Sequence, residues 1–172
     1  MNILIHDLNT EQFQSLFPHQ TGLNNDVYII SDTGTIQHCI GCFGCWIKTP
    51  GKCVLKDGYD NIGKILSRAE KVTIISKCFY GCYSPFVKNV LDRSISWMLP
   101  FFKTKSNETH HKRRYQNNMQ LTVHFYGENI TAEERETAKK LVKANCTNFY
   151  VKNYEISFSK SSEELCGKVT AI

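Results

Sequence analysis

The sequence predicts an α/β fold in which helices cover both faces of a five-stranded parallel sheet, in the doubly wound order 2-1-3-4-5. Two observations support this fold. Short runs of branched and aromatic residues, typical of strands, alternate along the chain with segments whose apolar residues recur at helical spacing. The segment KVTIIS (71–76) is a near-continuous run of β-branched residues, as expected of a central strand that is buried on both faces. Because crossover connections between parallel strands are right-handed, few other strand orders are possible.

The strands are predicted from runs of residues with strand propensity. NILIHDL and DVYII form the first two, and MQLTVHFY follows a long insertion as the fourth. YVKNYEISF alternates between apolar and polar residues, as a half-exposed strand does. The five predicted strands are 2–8, 26–30, 71–76, 119–126 and 150–158.

Capping residues and apolar spacing predict the first two helices. Asn9 and Thr10 follow the first strand and are suited to cap a helix. In the segment 59–70, apolar residues from Ile62 to Ala69 recur at helical spacing. We therefore expect a helix on either side of the second strand.

Stronger capping signals predict the helices of the second half. Ser84 followed by Pro85 begins a helix that we expect over 84–98. Thr131 and Glu134 form a capping box and begin the next helix. The segment SSEELCG, near the end of the chain, predicts a short final helix.

Length and composition predict a single domain, residues 1–172, in a soluble cytoplasmic protein. The opening residues MNILIHDL include a histidine and an aspartate and precede no cleavage pattern, unlike a signal peptide. No stretch approaches the roughly 20 apolar residues that span a bilayer, so no membrane partner is expected. The formal charge of +5 is modest and does not indicate a nucleic-acid partner.

Four of the eight cysteines are concentrated in CIGCFGCWIKTPGKC. Clustered cysteines in the cytosol bind metal or perform redox chemistry more often than they form disulfides. This spacing suits an iron–sulfur cluster or zinc, but it also suits a reactive thiol pair or a structural loop with buried thiols. The residues concerned are Cys39, Cys42, Cys45 and Cys53.

In a sheet of this order, ligands bind outside the carboxyl ends of strands 1 and 3. The segments 7–10 and 77–84 are predicted to border that crevice. The second segment combines aromatic side chains, which suit a flat ligand or a packed interface, with a glycine that lets backbone approach. A lysine directly after the strand could offset negative charge on such a ligand. These residues are Lys77, Phe79, Tyr80, Gly81 and Tyr83.

Three segments carry a resemblance to a known family: the first strand, residues 39–62 and residues 74–95. In these segments the chain resembles the flavodoxin-like flavoproteins grouped with NAD(P)H-dependent FMN reductases and with iron–sulfur flavoproteins. The resemblance implies an FMN-binding oxidoreductase that passes hydride or electrons from NAD(P)H to a small-molecule acceptor such as a quinone or free flavin.

The resemblance also implies which residues contact the cofactors. The FMN phosphate would bind the turn after strand 1, and the ring would bind between the loop after strand 3 and the end of strand 4. The implied FMN contacts are Asn9, Thr10, Lys77, Cys78, Phe79, Tyr80, Gly81, Tyr83, Ser84 and Gly127. The cysteine spacing matches the one that iron–sulfur flavoproteins use for a cluster such as [4Fe-4S].

The turn after strand 1 departs from the family pattern. Members that bind FMN usually have a small, glycine-containing loop there, whose amides and hydroxyls hold the phosphate. Here the segment is HDLNTEQFQSLF, which lacks glycine and carries Glu11. Two alternatives therefore remain open: a flavodoxin-like protein that has lost FMN and acts by binding or as a structural protein, and an iron–sulfur flavoprotein-type electron carrier.

The insertion before the fourth strand is basic at one end and apolar at the other. The segment 103–114 has Glu108 as its only acid, and we expect a solvated loop. A contact with the 2′-phosphate of NADPH or with another subunit is the alternative. The apolar residues before it predict a surface for a homo-oligomer, such as a homodimer. They are Trp97, Met98, Leu99, Phe101 and Phe102.

Overall fold

A computed structural model describes residues 1–18, 27–105 and 107–169. Residue 26, the first of the predicted second strand, lies outside these ranges. A five-stranded parallel sheet consists of β1 (Asn2–His6), β2 (Val27–Ser31), β3 (Lys71–Lys77), β6 (Gln120–Tyr126) and β7 (Tyr154–Ser159). Two further strands, β4 (Met98–Lys105) and β5 (Glu108–Arg113), form a separate antiparallel hairpin.

The parallel sheet has the order β2-β1-β3-β6-β7. Counting only the strands of this sheet, that is the predicted order 2-1-3-4-5, and the predicted fold class is confirmed. The helices are α1 (Thr10–Leu16), α2 (Gly44–Ile47), α3 (Ile62–Leu66), α4 (Pro85–Arg93) and α5 (Ala132–Phe149). No helix among the described residues is both long and apolar enough to cross a membrane.

The alternation of side chains along the strands divides the core into two layers. Ile3, Ile5 and Ile74 face a large layer that also contains residues of α3, α4 and α5. Leu4 and Ile75 face a smaller layer, which α1 and the C-terminal segment cover. Both faces of the central strands are thus buried, which explains why KVTIIS has a continuous run of β-branched residues at 72–75.

The predicted caps form as hydrogen bonds at the helix starts. The Ser84 hydroxyl accepts from the Val87 amide, and Thr131 and Glu134 form a reciprocal capping box. However, α4 ends at Arg93 and a 3-10 turn follows, so the prediction of one helix over 84–98 is wrong at its end. The reason is that Trp97, in that turn, is buried against Phe149 of α5.

The prediction of a solvated loop for the basic segment is wrong, because most of it lies in the β4–β5 hairpin. The hairpin packs against the C-terminal end of α5, where the Tyr150 hydroxyl donates to the His111 carbonyl at 2.6 Å. Lys103, Lys105 and Arg113 lie 4.5, 5.6 and 5.2 Å from the centroid of the Tyr150 ring. Cation–π attraction therefore offsets part of their mutual repulsion.

The apolar stretch 97–102, most of which forms the start of the hairpin, is only partly a surface. Trp97 and Met98 belong to the core, because their side chains are buried, whereas Phe101 and Phe102 are both 62% exposed. The first two residues are thus unavailable for contact with a second copy of the chain. Homo-oligomer formation stays a prediction.

Candidate functional site

A crevice lies at the carboxyl ends of β3, β6 and β7 and contains a cavity of about 570 Å³. Lys77 and Cys78 line it after β3, residues 126–130 after β6, and residues 160–163 after β7. Gln12 of α1 closes the side nearest β1. The cavity therefore lies at the carboxyl ends of the strands, which is where doubly wound folds bind ligands.

The loop after β3 is a tight two-residue turn that presents Tyr80. The Phe79 and Cys82 backbones exchange hydrogen bonds of 2.9 and 2.7 Å, and the residues between them, Tyr80 and Gly81, have φ values of +51° and +78°. Tyr80 is 89% exposed. An aromatic residue rarely adopts positive φ, so this turn stores strain while it holds a flat side chain in the solvent.

Gly81 fixes the turn against the start of α5. A Cβ atom at this position would lie 2.7 Å from both the Glu134 carbonyl oxygen and the Thr137 Cβ. The Lys77 ammonium lies 5.6 Å from the centroid of the Phe79 ring on the other side of the turn. The sheet, the turn and α5 therefore form one wall around the crevice.

Two of the predicted contacts are unavailable to a ligand in the crevice. The Tyr83 ring is only 2% exposed, because it packs on Phe125 at 5.3 Å, and its hydroxyl accepts from Asn145. Ser84 is also buried, with its hydroxyl at the start of α4 and its amide bonded to Ser76. The prediction that Tyr83 offers a flat surface to a ligand is therefore wrong.

The turn after β1 bonds two of its own amide groups, those of Asn9 and Gln12. The Asn9 side chain accepts from the Gln12 amide at 2.8 Å, and the Gln12 side chain accepts from the Asn9 amide at 3.0 Å. Thr10 and Glu11 are exposed in the first turn of α1. The expected cap at Asn9 is present, but the amides that it uses are no longer free for a ligand.

Asp7 does not line the cavity, but it is bonded to two residues that do, and sequence reasoning did not single it out for a role. Its carboxylate accepts from the Lys77 amide at 2.8 Å and from the Tyr126 hydroxyl at 3.1 Å, so it links β1, β3 and β6. Burial raises the pKa of Asp7, while hydrogen bonds from Ser84, Lys77 and Tyr126 oppose that shift. An acid directly after the first strand was the available signal.

The crevice fits one part of FMN and not the other. A ring in this cavity would meet Lys77, Cys78 and the backbone near Gly127, and the exposed Tyr80 follows two residues after Cys78. At the turn after β1, a phosphate would meet a capping box whose Asn9 and Gln12 amides are already bonded, together with the carboxylates of Asp7 and Glu11. The residues thus suit the isoalloxazine ring but offer no phosphate cradle at that turn.

The four clustered cysteines line a second cavity of about 510 Å³, between the cysteine loop, α4 and α5. Cys39 and Cys42 are exposed, Cys45 and Cys53 are half-buried, and all four thiols are free. No three His, Cys, Asp or Glu side chains within the described ranges are placed to hold a single metal ion. The four cysteines of the described chain are therefore not placed to bind one metal ion together. Binding of an iron–sulfur cluster by these cysteines remains a prediction.

A buried ion pair forms the wall of this second cavity. The Arg93 guanidinium donates to both Asp57 oxygens, and neither side chain is more than 3% exposed. This bond lowers the pKa of Asp57 to about 2. The guanidinium also lies beside the Cys53 thiol, so it places positive charge next to the cysteine cluster.

No protein-family model and no curated protein matches this chain, but solved structures do. An FMN-dependent NADH-azoreductase from Bacillus anthracis, in complex with FMN, has a TM-score of 0.54 at 10% identity over 99% of each chain. The Trp repressor binding protein from Bacillus subtilis has 0.53 at 8% identity over 100% of each chain. A putative quinone reductase from Klebsiella pneumoniae has 0.52 at 12% identity over 97% of this chain and 81% of its own. The chain therefore has the flavodoxin-like fold that these similarities share.

Proposed function

We propose that this protein is a flavin-dependent oxidoreductase that uses NAD(P)H to reduce a small acceptor such as a quinone or free flavin. The observation that carries the proposal is Tyr80, an aromatic side chain that is 89% exposed on a strained turn, two residues after Cys78, which lines the crevice. An exposed aromatic ring in a strained turn is more readily explained by ligand binding than by packing.

The crevice residues suggest how a flavin ring would be held. The Tyr80 ring would stack on one face, Gly127 would leave room for backbone contacts at the opposite lip, and the Lys77 ammonium would offset negative charge on the reduced ring. When bound, FMN supplies the hydride and electron-transfer chemistry. The protein contributes binding, orientation and exclusion of water.

Among the solved structures of the same fold, an azoreductase is described as FMN-dependent and a second protein as a putative quinone reductase. These descriptions support the proposal for this chain. The Trp repressor binding protein has the same fold and is described by a binding property instead. A protein without flavin is therefore the alternative that experiments must exclude.

Replacing Tyr80 with Ala tests the assignment of the ring site. Loss of one stacking contact is worth about 1.4 kcal/mol, so the flavin dissociation constant should rise about tenfold, measured by flavin fluorescence. Tyr80→Phe keeps the ring and should bind as the parent does. Tyr154→Ala is the matched control. It removes a partly exposed ring at the start of β7, at the end of the sheet opposite the crevice. Equal affinity of Tyr80→Ala and the parent would contradict the assignment.

A second candidate function is favoured by the cysteine cavity. Four free thiols that line one cavity, beside the Arg93 guanidinium, are a donor set that suits an iron–sulfur cluster. Such a protein would be an electron carrier of the iron–sulfur flavoprotein type. A structural loop or a reactive thiol pair is the alternative for the same residues.

Iron and acid-labile sulfide in protein prepared without oxygen distinguish these alternatives. If a cluster binds, Cys42→Ser should lose most of the iron, because it removes one of four ligands. Cys166→Ser removes an exposed thiol outside the cavity and should keep it. A preparation that stays free of iron after reconstitution with iron and sulfide would contradict the cluster.

A further inference from the structure

The turn after β1, residues 7–12, is built in a way that opposes a phosphate group. The Asp7 carboxylate accepts hydrogen bonds from the Lys77 amide and the Tyr126 hydroxyl, two donors that border the crevice. It therefore uses an amide that an anionic ligand would otherwise receive. A phosphate brought to this position would meet a like charge in a site with little water.

The start of α1 gives a phosphate little in exchange. The Asn9 and Gln12 amides are bonded to each other's side chains, which leaves only the Thr10 and Glu11 amides in the first turn, and Gln12 itself lines the crevice. Glu11 already places a carboxylate at the positive end of this helix, which has only seven residues. The segment has no glycine that would let the backbone close around an oxyanion.

The rest of the crevice does not compensate with positive charge. Of the charged side chains that line the cavity, two are lysines, Lys77 and Lys160, and three are glutamates, Glu128, Glu134 and Glu163. A site selected for a phosphate would be expected to have an excess of cations. This lining has no such excess.

We infer that the crevice recognises a flavin through its ring and not through its phosphate, so that it binds riboflavin as tightly as FMN, and that Asp7 and Glu11 are the residues that set this selectivity. The inference rests on the proposed function, because it names the class of flavin that the same site takes. An unphosphorylated flavin reaches the ring site without bringing charge to the turn after β1.

Dissociation constants of the full chain for riboflavin and for FMN, measured by flavin fluorescence at low ionic strength, test the inference. We expect the two constants to agree within about threefold. An FMN constant at least tenfold lower than that of riboflavin would overturn the inference and leave the proposed function standing. If neither flavin binds, the proposed function fails and the inference fails with it.

Charge-neutral variants test the role of the two acids. Asp7→Asn combined with Glu11→Gln should bring the FMN constant to that of riboflavin, a tightening of at most about threefold, and leave riboflavin unchanged, since only FMN carries the phosphate. Glu11→Gln alone alters an exposed side chain and should shift FMN in the same direction if Asp7→Asn impairs folding. Glu108→Gln, on the hairpin, removes the same charge far from the crevice and should change neither constant. Equal effects on both flavins, or no effect on either, would overturn the role of Asp7 and Glu11.

Discussion

His6 is a buried histidine at the end of β1, next to Asp7, the acid that links β1 to β3 and β6. It is 3% exposed, its ring stacks on Phe13 at 4.7 Å, and its Nδ1 has no hydrogen-bond partner in the described part of the chain. Burial lowers the pKa of His6 to about 4. The neutral ring is thus part of the packing between the sheet and α1, and protonation favours the unfolded chain.

The pH dependence of stability should reflect this buried ring. The unfolded pKa is about 6.5 and the folded value about 4, so the free energy of unfolding should fall as the pH drops between these values, by about 3 kcal/mol in total. His6→Phe should lack this part of the loss in urea denaturation. In His6→Phe, the free energy of unfolding should still fall with decreasing pH, but less steeply, because burial also lowers the pKa of His124.

Ile5→Val, at the neighbouring position of β1, provides the control for this prediction, because it shortens a fully buried side chain and removes no titratable group. Ile5→Val should keep the pH slope of the parent whatever its effect on stability. A parent protein whose urea midpoint stays constant from pH 6.5 to pH 4 would contradict the account of His6.

At the scale of elements, the contact between the β3 turn and α5 shapes the crevice. Gly81 and Gly34 have similar positive φ values, +78° and +73°, but only Gly81 has atoms close to the position of an added Cβ. Glu134 and Thr137 of α5 would both lie 2.7 Å from it. A comparison of substitutions at the two glycines therefore separates the cost of backbone strain from the cost of packing against α5.

Replacing each glycine with Ala should give different losses of stability. Gly34→Ala should cost about 1 kcal/mol, which is the cost of positive φ alone. Gly81→Ala should cost about 3 kcal/mol, because the added methyl group also forces the turn away from α5. Chemical denaturation measures both values. Equal losses would mean that the turn does not depend on its contact with α5.

Local signals explain which parts of these elements could be predicted from sequence. Three features form as expected: the cap at Ser84, the cap at Thr131 and the buried strand β3. Each depends only on residues that are close together in the sequence. The hairpin, the burial of Tyr83 and the link from Asp7 to Tyr126 depend on contacts between distant segments. Because these contacts join residues that are far apart in the sequence, local sequence patterns do not reveal them.

At the scale of the molecule, the two cavities lie toward opposite ends of α5. Glu134, near its start, lines the crevice, whereas Asn148 and Phe149, at its end, line the cysteine cavity. A helix of eighteen residues is about 27 Å long. The basic hairpin packs beside Tyr150, so it lies at the end of the molecule away from the crevice of the same chain.

This arrangement predicts that the hairpin does not select NADPH. The double change of Lys103→Gln and Lys105→Gln removes two cations near Tyr150 and should leave the KM for NADPH unchanged, since neither lysine reaches the crevice. The KM for NADH is the internal control. A rise for NADPH alone would contradict the prediction and would mean that the hairpin contacts the crevice of a second copy of the chain.

The absorption spectrum of freshly purified protein, recorded before and after addition of riboflavin or FMN and gel filtration, tests the central claim most directly. The claim is that the crevice beside Tyr80 holds a flavin ring, and it predicts a yellow protein that retains added flavin, less firmly in Tyr80→Ala. A protein that is colourless and releases both flavins on the column would contradict it.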